Sequence, residues 1–109
     1  MPALLVLELC DNGTLLDYVA DRSRRLDDSM LLTFCHDVSS GLHYLSSRRI
    51  VHRDVAARNV LVDSAMHCKV SDFGMSTALA SDSDDYAANY IKMQGELPVR
   101  WSSIEVLAE

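Results

Sequence analysis

Charged and amide side chains interrupt an otherwise apolar stretch in "IVHRDVAARNVLV", residues 50–62. The polar positions are His52, Arg53, Asp54, Arg58 and Asn59. The simpler interpretation is a polar loop between a helix and a strand, with Asp54 paired to an arginine. The alternative is a catalytic loop that handles phosphate and a metal ion. Residues further along the chain distinguish the two.

Asp72 adds a third oxygen-bearing side chain to a set suited to phosphoryl transfer. Asp54 and Asn59 are separated by four residues, and Asp72, the first residue of "DFG", follows a hairpin-sized gap. Phosphoryl transfer needs an acceptor for the proton of the attacking hydroxyl, and oxygen ligands that hold Mg²⁺ against the phosphates. Each residue alone is a weak signal, but this order and spacing favour the catalytic interpretation.

Length and composition indicate one small soluble domain. The chain has 109 residues, of which 49% are apolar and 24% charged, a composition typical of globular proteins rather than disordered ones. The net charge of -6 argues against nucleic acid or an anionic membrane as a partner. Apolar runs fall well short of the roughly 18 residues that cross a membrane, so we expect no direct insertion of this segment.

Cysteine usage favours a reducing compartment. Cys10, Cys35 and Cys68 are odd in number and form no CxxC pair, which predicts free, partly buried thiols in a cytosolic protein. His67 and Cys68 are adjacent, but no second ligand pair lies at zinc spacing.

The first part of the chain predicts a strand followed by a helix. Residues 4–9 form a short apolar run, broken by Glu8, and "CDNGT" after it is a strong turn signal. A helix is expected from Leu15 to Arg22, and the charged "DRSRRLDD" after it predicts a solvated loop.

A longer helix is predicted over residues 29–47. Asp28 or Ser29 can cap its start, and Arg48 and Arg49 suit its negative C-terminal end. Apolar residues recur every three to four positions, which predicts one buried stripe. The stripe comprises Leu31, Phe34, Cys35, Val38, Leu42 and Leu45. His36 and His43, on the same helix, are expected to be surface or hydrogen-bonded side chains rather than ligands.

A hairpin and a long loop are predicted in the second half. Val60–Val62 and Cys68–Val70 are short strand candidates around "DSAMH". Residues 75–96 have little periodicity, and a loop of that length is usually functional or mobile. Residues 101–108 predict a short final helix.

Together these motifs resemble the catalytic domain of protein tyrosine kinases. "HRDVAARN" is similar to the catalytic loop, "DFG" to the metal-binding motif, and "LPVRW" to the substrate-docking segment. "VLELCDNGTLLDYV" resembles the hinge and following helix of receptor tyrosine kinases. The resemblance covers essentially all 109 residues. It implies an α+β, protein-kinase-like fold, in which this chain is a mainly α-helical C-terminal lobe with short β-hairpins.

The resemblance also divides the chain and implies that it is partial. Residues 1–22 correspond to the hinge and following helix, 29–49 to the long helix, 50–62 to the catalytic loop and 72–105 to the activation segment. The family uses a glycine-rich loop and a strand lysine. Here the four glycines form no GxG, and Lys69 and Lys92 come too late in the chain. We therefore expect the N-terminal lobe to be absent and the 109 residues alone to be inactive.

Catalytic roles follow from the resemblance, residue by residue. Asp54 is the implied base that orients the substrate hydroxyl and accepts its proton. Asn59 and Asp72 are the implied Mg²⁺ ligands. Arg58 is expected close to Asp54 and the transferring phosphate, where its planar guanidinium stays charged. His52 is expected to link the loop to the "DFG" backbone.

Two further positions favour tyrosine as the acceptor. Serine/threonine kinases usually carry a lysine two residues after the base, and this chain has Ala56 there. Pro98 matches the proline that tyrosine kinases pack against the longer substrate side chain. Pro98 and Arg100 of "LPVRW" are therefore the implied substrate-docking residues.

The hinge resemblance implies an ATP site built mostly from backbone. Leu7 falls at the gatekeeper position. The Glu8 carbonyl and the Cys10 backbone are the implied adenine contacts, and Asp17 is the implied ribose contact. Lys69 is interpreted as an exposed residue of the hairpin.

Regulation by phosphorylation is implied for the long loop. Tyr90, and secondarily Tyr86, lie between "DFG" and "LPVRW", where tyrosine kinases carry their autophosphorylation sites. Arg53 is the implied receiver of that phosphate, through a charge-assisted pair. A second kinase molecule is the implied partner for autophosphorylation in trans.

The predicted function is that of a tyrosine kinase fragment whose intact parent uses ATP and Mg²⁺ to phosphorylate protein tyrosines. The predicted location is cytoplasmic, or the cytoplasmic side of the plasma membrane if the parent is a receptor. The alternative is a catalytically inactive pseudokinase or a truncated interaction module. Ser102, Ser103 and Ile104 support the alternative, because the family usually reads Met-Ala-Pro there.

Overall fold

The computed structural model describes residues 2–72 and 76–78. Their helices are α1 (Leu15–Ala20) and α2 (Asp28–Ser47), with a 3₁₀ turn at Ala57–Asn59. Their strands are β1 (Ile50–Val51), β2 (Val60–Val62), β3 (Cys68–Val70) and β4 (Thr77–Ala78). This content is α+β, as the sequence predicts. The predicted final helix, Tyr86, Tyr90, Pro98 and Arg100 lie outside the described residues.

Both helices begin at a capping side chain. Thr14 caps α1 by accepting from the backbone N–H of Asp17 at 3.1 Å, and α1 ends at Ala20, two residues before the predicted end. Asp27 caps α2 by accepting from the backbone N–H of Met30 at 2.8 Å. The prediction of Asp28 or Ser29 as the cap was therefore wrong, because the Asp27 carboxylate reaches the third helical amide and α2 begins one residue earlier.

The apolar stripe of α2 is narrower than predicted. Phe34 and Leu45 are buried, and Val38 and Leu42 are partly buried. Two stripe positions proved wrong, since Leu31 is 40% exposed and Cys35 is also exposed. Within the described residues α2 packs against β1 and β3, and its Phe34 packs against Tyr18 of α1.

The β2–β3 hairpin forms where the sequence predicts it. The strands are antiparallel, with Val60 opposite Val70 and Val62 opposite Cys68. Asp63 shapes the turn, because its Oδ1 accepts from the backbone N–H groups of Ala65 and His67, each at 2.9 Å. Aspartate favours such turns because its short carboxylate reaches nearby amides.

A second strand pair, β1 with β4, was not anticipated. The pairing is antiparallel, with Ile50 opposite Ala78 and Val51 opposite Thr77. It joins the first two residues of the predicted catalytic loop, 50–62, to two residues that come after "DFG". Two-residue strands leave no alternating pattern in a sequence, so nothing signalled this pairing.

The hydrophobic core lies where α1, α2 and the hairpin meet. Tyr18 and Phe34 pack edge to face, with ring centroids 5.9 Å apart. Buried Val60, Val62 and Cys68 complete the cluster. Burial raises the pKa of the Cys68 thiol to about 11, with Asp37 and Asp63 nearby also raising it, so this cysteine is a neutral core residue.

Residues 4–9 form no strand, contrary to prediction. Leu4 and Val6 are each 90% exposed, and Leu5, Leu7 and Leu9 are also exposed. A strand requires a hydrogen-bonded neighbour, and within the described residues no strand pairs with this segment. Among those same residues, no helix has the length and hydropathy to cross a bilayer.

Candidate active site

His52 ties the catalytic loop to the residue before Asp72. The imidazole is buried, with 4% exposure. Its Nδ1 accepts from the backbone N–H of Asp54 at 3.1 Å, and its Nε2 lies 2.7 Å from the Ser71 carbonyl oxygen. Because Nδ1 accepts and the carbonyl can only accept, Nε2 carries the proton and donates it. The imidazole thus binds the residue before "DFG", and the predicted link to the "DFG" backbone itself stays a prediction.

Asp54 is held by Arg58 and by the loop backbone. Arg58 Nη2 donates to Asp54 Oδ1 at 2.7 Å, and the two side chains are 43% and 15% exposed. The 3₁₀ turn at Ala57–Asn59 brings these positions together. Both the polar-loop and the catalytic-loop interpretations predict an Asp–Arg pair here, so this pair does not distinguish between them.

Asn59 joins the two segments that carry the predicted metal ligands. Its side chain is buried, and its Nδ2 donates to the Asp54 carbonyl at 2.8 Å. Its own carbonyl accepts from the backbone N–H of Ser71 at 2.8 Å and from Ser71 Oγ at 2.9 Å. Since the amide nitrogen is engaged, the amide oxygen is the atom suited to a cation. The chain therefore places Asn59 beside the residue that precedes Asp72.

Backbone strain coincides with two of the predicted motifs. Arg53 has φ +72° and Asp72 has φ +57°, in the left-handed region that costs a non-glycine residue about 1–2 kcal/mol. Arg49, shortly after α2, and Met66, in the turn of the hairpin, also adopt positive φ, at +58° and +65°. Non-glycine residues held in this region often belong to functional sites, so the strain at Arg53 and Asp72 favours the catalytic interpretation.

The predicted ATP-contacting residues of the hinge lie on a separate, more exposed segment. Glu8 is exposed, and its Oε1 lies 3.6 Å from Nζ of Lys69, which is the expected exposed hairpin residue. Cys10 is partly buried, and burial, followed by the nearby Glu8, raises the pKa of its thiol. Asp17 is exposed in the first turn of α1. Within the described residues, no hydrogen bond or ion pair joins the side chains of these three residues to Asp54.

Sequence reasoning missed Ser71 and Asn12, which both connect parts of the site. The Ser71 carbonyl accepts a hydrogen bond from His52, and the Ser71 hydroxyl donates one to the Asn59 carbonyl. Asn12 Nδ2 donates to the Asp63 carbonyl at 2.8 Å, which joins the turn segment "CDNGT", residues 10–14, to the hairpin. The available signals were the position of Ser71 directly before "DFG" and the Asn-Gly turn dipeptide at Asn12.

A metal at this site would depend on few protein ligands. Within residues 2–72 and 76–78, no three His, Cys, Asp or Glu side chains come together as a metal cluster. The carboxylate of Asp72 and the amide oxygen of Asn59 nevertheless fit Mg²⁺, which usually takes one or two carboxylates and completes its shell with phosphates and water.

The chain is similar in sequence to known protein kinases. The model of the family "protein tyrosine and serine/threonine kinase" matches residues 1–109. The chain is similar to receptor tyrosine-protein kinase erbB-4 of Mus musculus, with 41% identity over 103 residues, covering 94% of this chain and 8% of that protein. It is also similar to cytoplasmic tyrosine-protein kinase BMX of Mus musculus, with 42% identity over 106 residues, covering 96% of this chain and 15% of that protein.

A third relative is ephrin type-A receptor 1 of Homo sapiens, with 37% identity over 107 residues, 98% of this chain and 11% of that protein. The chain thus spans only a small part of the relatives it matches. The family model covers its whole length, and the chain belongs to the protein tyrosine and serine/threonine kinase family.

Proposed function

We propose that this chain is the hinge-to-activation-segment part of a protein tyrosine kinase domain, within its large lobe. The complete domain would transfer the γ-phosphate of ATP to tyrosine hydroxyls of protein substrates, using Mg²⁺. The observation that carries this proposal is the hydrogen-bonded junction of Asn59 with Ser71, because it draws together the loop with Asp54 and the segment with Asp72.

Asp54 is the proton acceptor in this proposal. Arg58 occupies Oδ1, so Oδ2 is the oxygen that meets the substrate hydroxyl. The bond from Asn59 to the Asp54 carbonyl, together with the bond to His52, fixes the backbone that carries this carboxylate. Arg58 is 43% exposed, and its guanidinium is the proposed cationic group beside the transferring phosphate.

Asn59 and Asp72 are the proposed metal ligands. They would hold Mg²⁺, which would supply positive charge next to the phosphates during transfer. The bonds from Ser71 to the Asn59 carbonyl support this proposal, because they hold the segment that carries Asp72 beside Asn59. At the hinge, the Glu8 carbonyl and Cys10 backbone would contact adenine and Asp17 the ribose.

Tyrosine is the proposed acceptor amino acid. Ala56 occupies the position of the serine/threonine-kinase lysine, and the three relatives named above are described as tyrosine kinases or as an ephrin receptor. Pro98 and Arg100 are the proposed docking residues for the substrate. A cytoplasmic location, free or at the plasma membrane, is proposed on the same basis.

Regulation in trans is part of the proposal. Phosphorylation of Tyr90, and secondarily Tyr86, by a second kinase molecule would place a dianionic group where Arg53 can pair with it. Arg53 adopts a left-handed backbone conformation, with φ +72°, directly before Asp54.

The test is phosphoryl transfer by the kinase domain that contains this chain. The domain is incubated with labelled ATP, Mg²⁺ and a mixture of tyrosine and serine peptides, with and without EDTA, followed by phosphoamino acid analysis. We expect EDTA-sensitive phosphotyrosine. Phosphoserine alone would refute the tyrosine assignment, and a folded domain that transfers no phosphate would instead support the pseudokinase alternative.

A further inference from the structure

The segment that follows the hinge runs alongside β2 as an additional, irregular strand. The backbone N–H of Asn12 donates to the Val62 carbonyl at 3.0 Å, and that of Val62 donates to the Gly13 carbonyl at 2.8 Å. Thr14 then pairs with Leu61 in an antiparallel bridge. Gly13 has φ +71°, a conformation that glycine adopts without penalty. The hinge is thus fastened to the hairpin through backbone hydrogen bonds.

The Asn12 side chain adds further hydrogen bonds between this segment and the hairpin. Its Nδ2 donates to the Asp63 carbonyl at 2.8 Å and approaches Met66 Sδ at 3.8 Å. Its Oδ1 accepts from Arg24 Nη1 at 3.5 Å. An amide presents both donors and an acceptor, so one asparagine contacts the turn of the hairpin and the loop after α1 together.

The opposite end of the hairpin carries the proposed metal ligands. β2 begins at Val60, directly after Asn59, and β3 ends at Val70, two residues before Asp72. Ser71 closes this end by bonding to the Asn59 carbonyl. The hairpin, whose strands are three residues long, therefore links Asn12 to the Asn59–Asp72 pair. Asn12 itself lies two residues after Cys10.

We propose that Asn12 is a positioning residue for the nucleotide. It sets the separation between the adenine-contacting backbone at Cys10 and the oxygen ligands of Asn59 and Asp72, so that one ATP reaches both. This inference rests on the proposed function, and it adds a residue that contacts neither nucleotide nor metal. Loss of the Asn12 side chain weakens ATP binding while the chemistry at Asp54 proceeds.

The test compares Asn12→Ala, Met66→Leu and the unchanged kinase domain that contains this chain. Met66→Leu is the matched control, because it removes the long N–H···S contact from Asn12, and that from the Tyr18 hydroxyl at 3.5 Å, but leaves the 2.8 Å bond from Asn12 to Asp63. We expect Asn12→Ala to raise the Kd for ATP, measured by calorimetry, and the KM about 3- to 10-fold, the worth of one good hydrogen bond. We expect kcat at saturating ATP to stay within about twofold.

Amide hydrogen exchange supplies a readout that needs no activity. Asn12→Ala should speed the exchange of the Val62 amide, which donates to Gly13, whereas Met66→Leu should not. If Asn12→Ala does not fold, Asn12→Gln misplaces the amide by one methylene and carries the same expectation.

Two outcomes overturn the inference. An ATP Kd equal to that of the unchanged domain shows that Asn12 does not position nucleotide, and a fall in kcat at constant KM shows that it acts elsewhere. If either outcome is found and the unchanged domain binds ATP and transfers phosphate, only the proposed role of Asn12 fails. If the unchanged domain does neither, the proposed function fails and the inference with it.

Discussion

The catalytic loop and the hinge differ in what holds them in place. In the loop, side chains bond to backbone atoms of the same small region, as His52 does to Ser71 and Asn59 does to Asp54. In residues 4–9 the apolar side chains point into solvent, with Leu4 and Val6 each 90% exposed. The loop conformation is therefore specified locally, whereas the hinge needs neighbours beyond those that the described residues supply.

This contrast separates two ways of encoding a site. The loop uses particular side chains, so its motif can be recognised and each residue can be given a task. The contacts proposed for the hinge use backbone groups, which every residue type offers, so its sequence restricts the structure only weakly. Asn12 joins the segment after the hinge to the hairpin, because its side chain donates to the Asp63 carbonyl.

The strongest stability effect should come from the catalytic loop. His52→Ala should lower the free energy of unfolding of the 109-residue chain by about 2–3 kcal/mol, because it removes the bonds to Ser71 and Asp54 and leaves a buried void. Urea denaturation measures the change. His43→Ala, at an exposed position on α2, is the matched control and should change stability by less than about 0.5 kcal/mol. Equal effects of the two variants would refute a locally specified loop.

An intermediate effect is expected at Asp37, which joins α2 to β3. Its Oδ2 accepts from the Cys68 backbone N–H and from His67 Nδ1, each at 3.0 Å. Burial raises the pKa of Asp37, but the bonds from Cys68 and His67, with the nearby His36, outweigh it and hold the pKa below its ordinary 3.8. A depressed pKa contributes stability above the ordinary value, and this contribution is lost as pH falls through the folded-state pKa.

Acid titration tests that link. Between pH 5 and pH 2 the wild-type chain should lose about 1 kcal/mol more stability than Asp37→Asn, which keeps an acceptor oxygen but cannot titrate. Denaturant unfolding at several pH values gives the difference. Asp11→Asn, at an exposed acid, should follow the wild type. Parallel curves for wild type and Asp37→Asn would show that the carboxylate does not stabilise this contact.

The smallest effect should lie in the hinge. Leu5 is 82% exposed, so Leu5→Ala should change the free energy of unfolding of the 109-residue chain by less than about 0.5 kcal/mol. Val62 has no exposed surface, and Val62→Ala, the matched comparison, should cost about 1–3 kcal/mol. A loss at Leu5 as large as that at Val62 would mean that residues 4–9 pack against the rest of the chain.

The hairpin and the long helix could be predicted from sequence because their signals are local. The turn at Asp63 and the flanking apolar residues define β2 and β3, and the predicted strand bounds are those observed. The apolar period of α2 predicted its extent to within one residue at the start. The cap was misassigned because three acidic or hydroxyl residues, Asp27, Asp28 and Ser29, stand in sequence, and each is a good capping residue.

The remaining features depend on contacts between distant residues. The strand predicted at residues 4–9 did not form, because an apolar run shows that a strand is possible and not that a partner is present. The β1–β4 pair and the Asn59–Ser71 junction are backbone contacts, and no side-chain pattern announces them. Motif resemblance identified the candidate residues of the site, while the bonds that bring Asp54 and Asn59 together with Ser71 emerged only from the structure.

The central claim is that Asp54 accepts the proton of the substrate hydroxyl, and the most direct test is the kcat of Asp54→Asn in the kinase domain that contains this chain. The amide keeps the shape and a contact to Arg58 but cannot accept the proton. We predict a fall in kcat of roughly 10²–10⁴-fold, with ATP affinity within about twofold. Asp21→Asn, at an exposed acid after α1, should retain full activity. A near-normal kcat for Asp54→Asn would contradict the account.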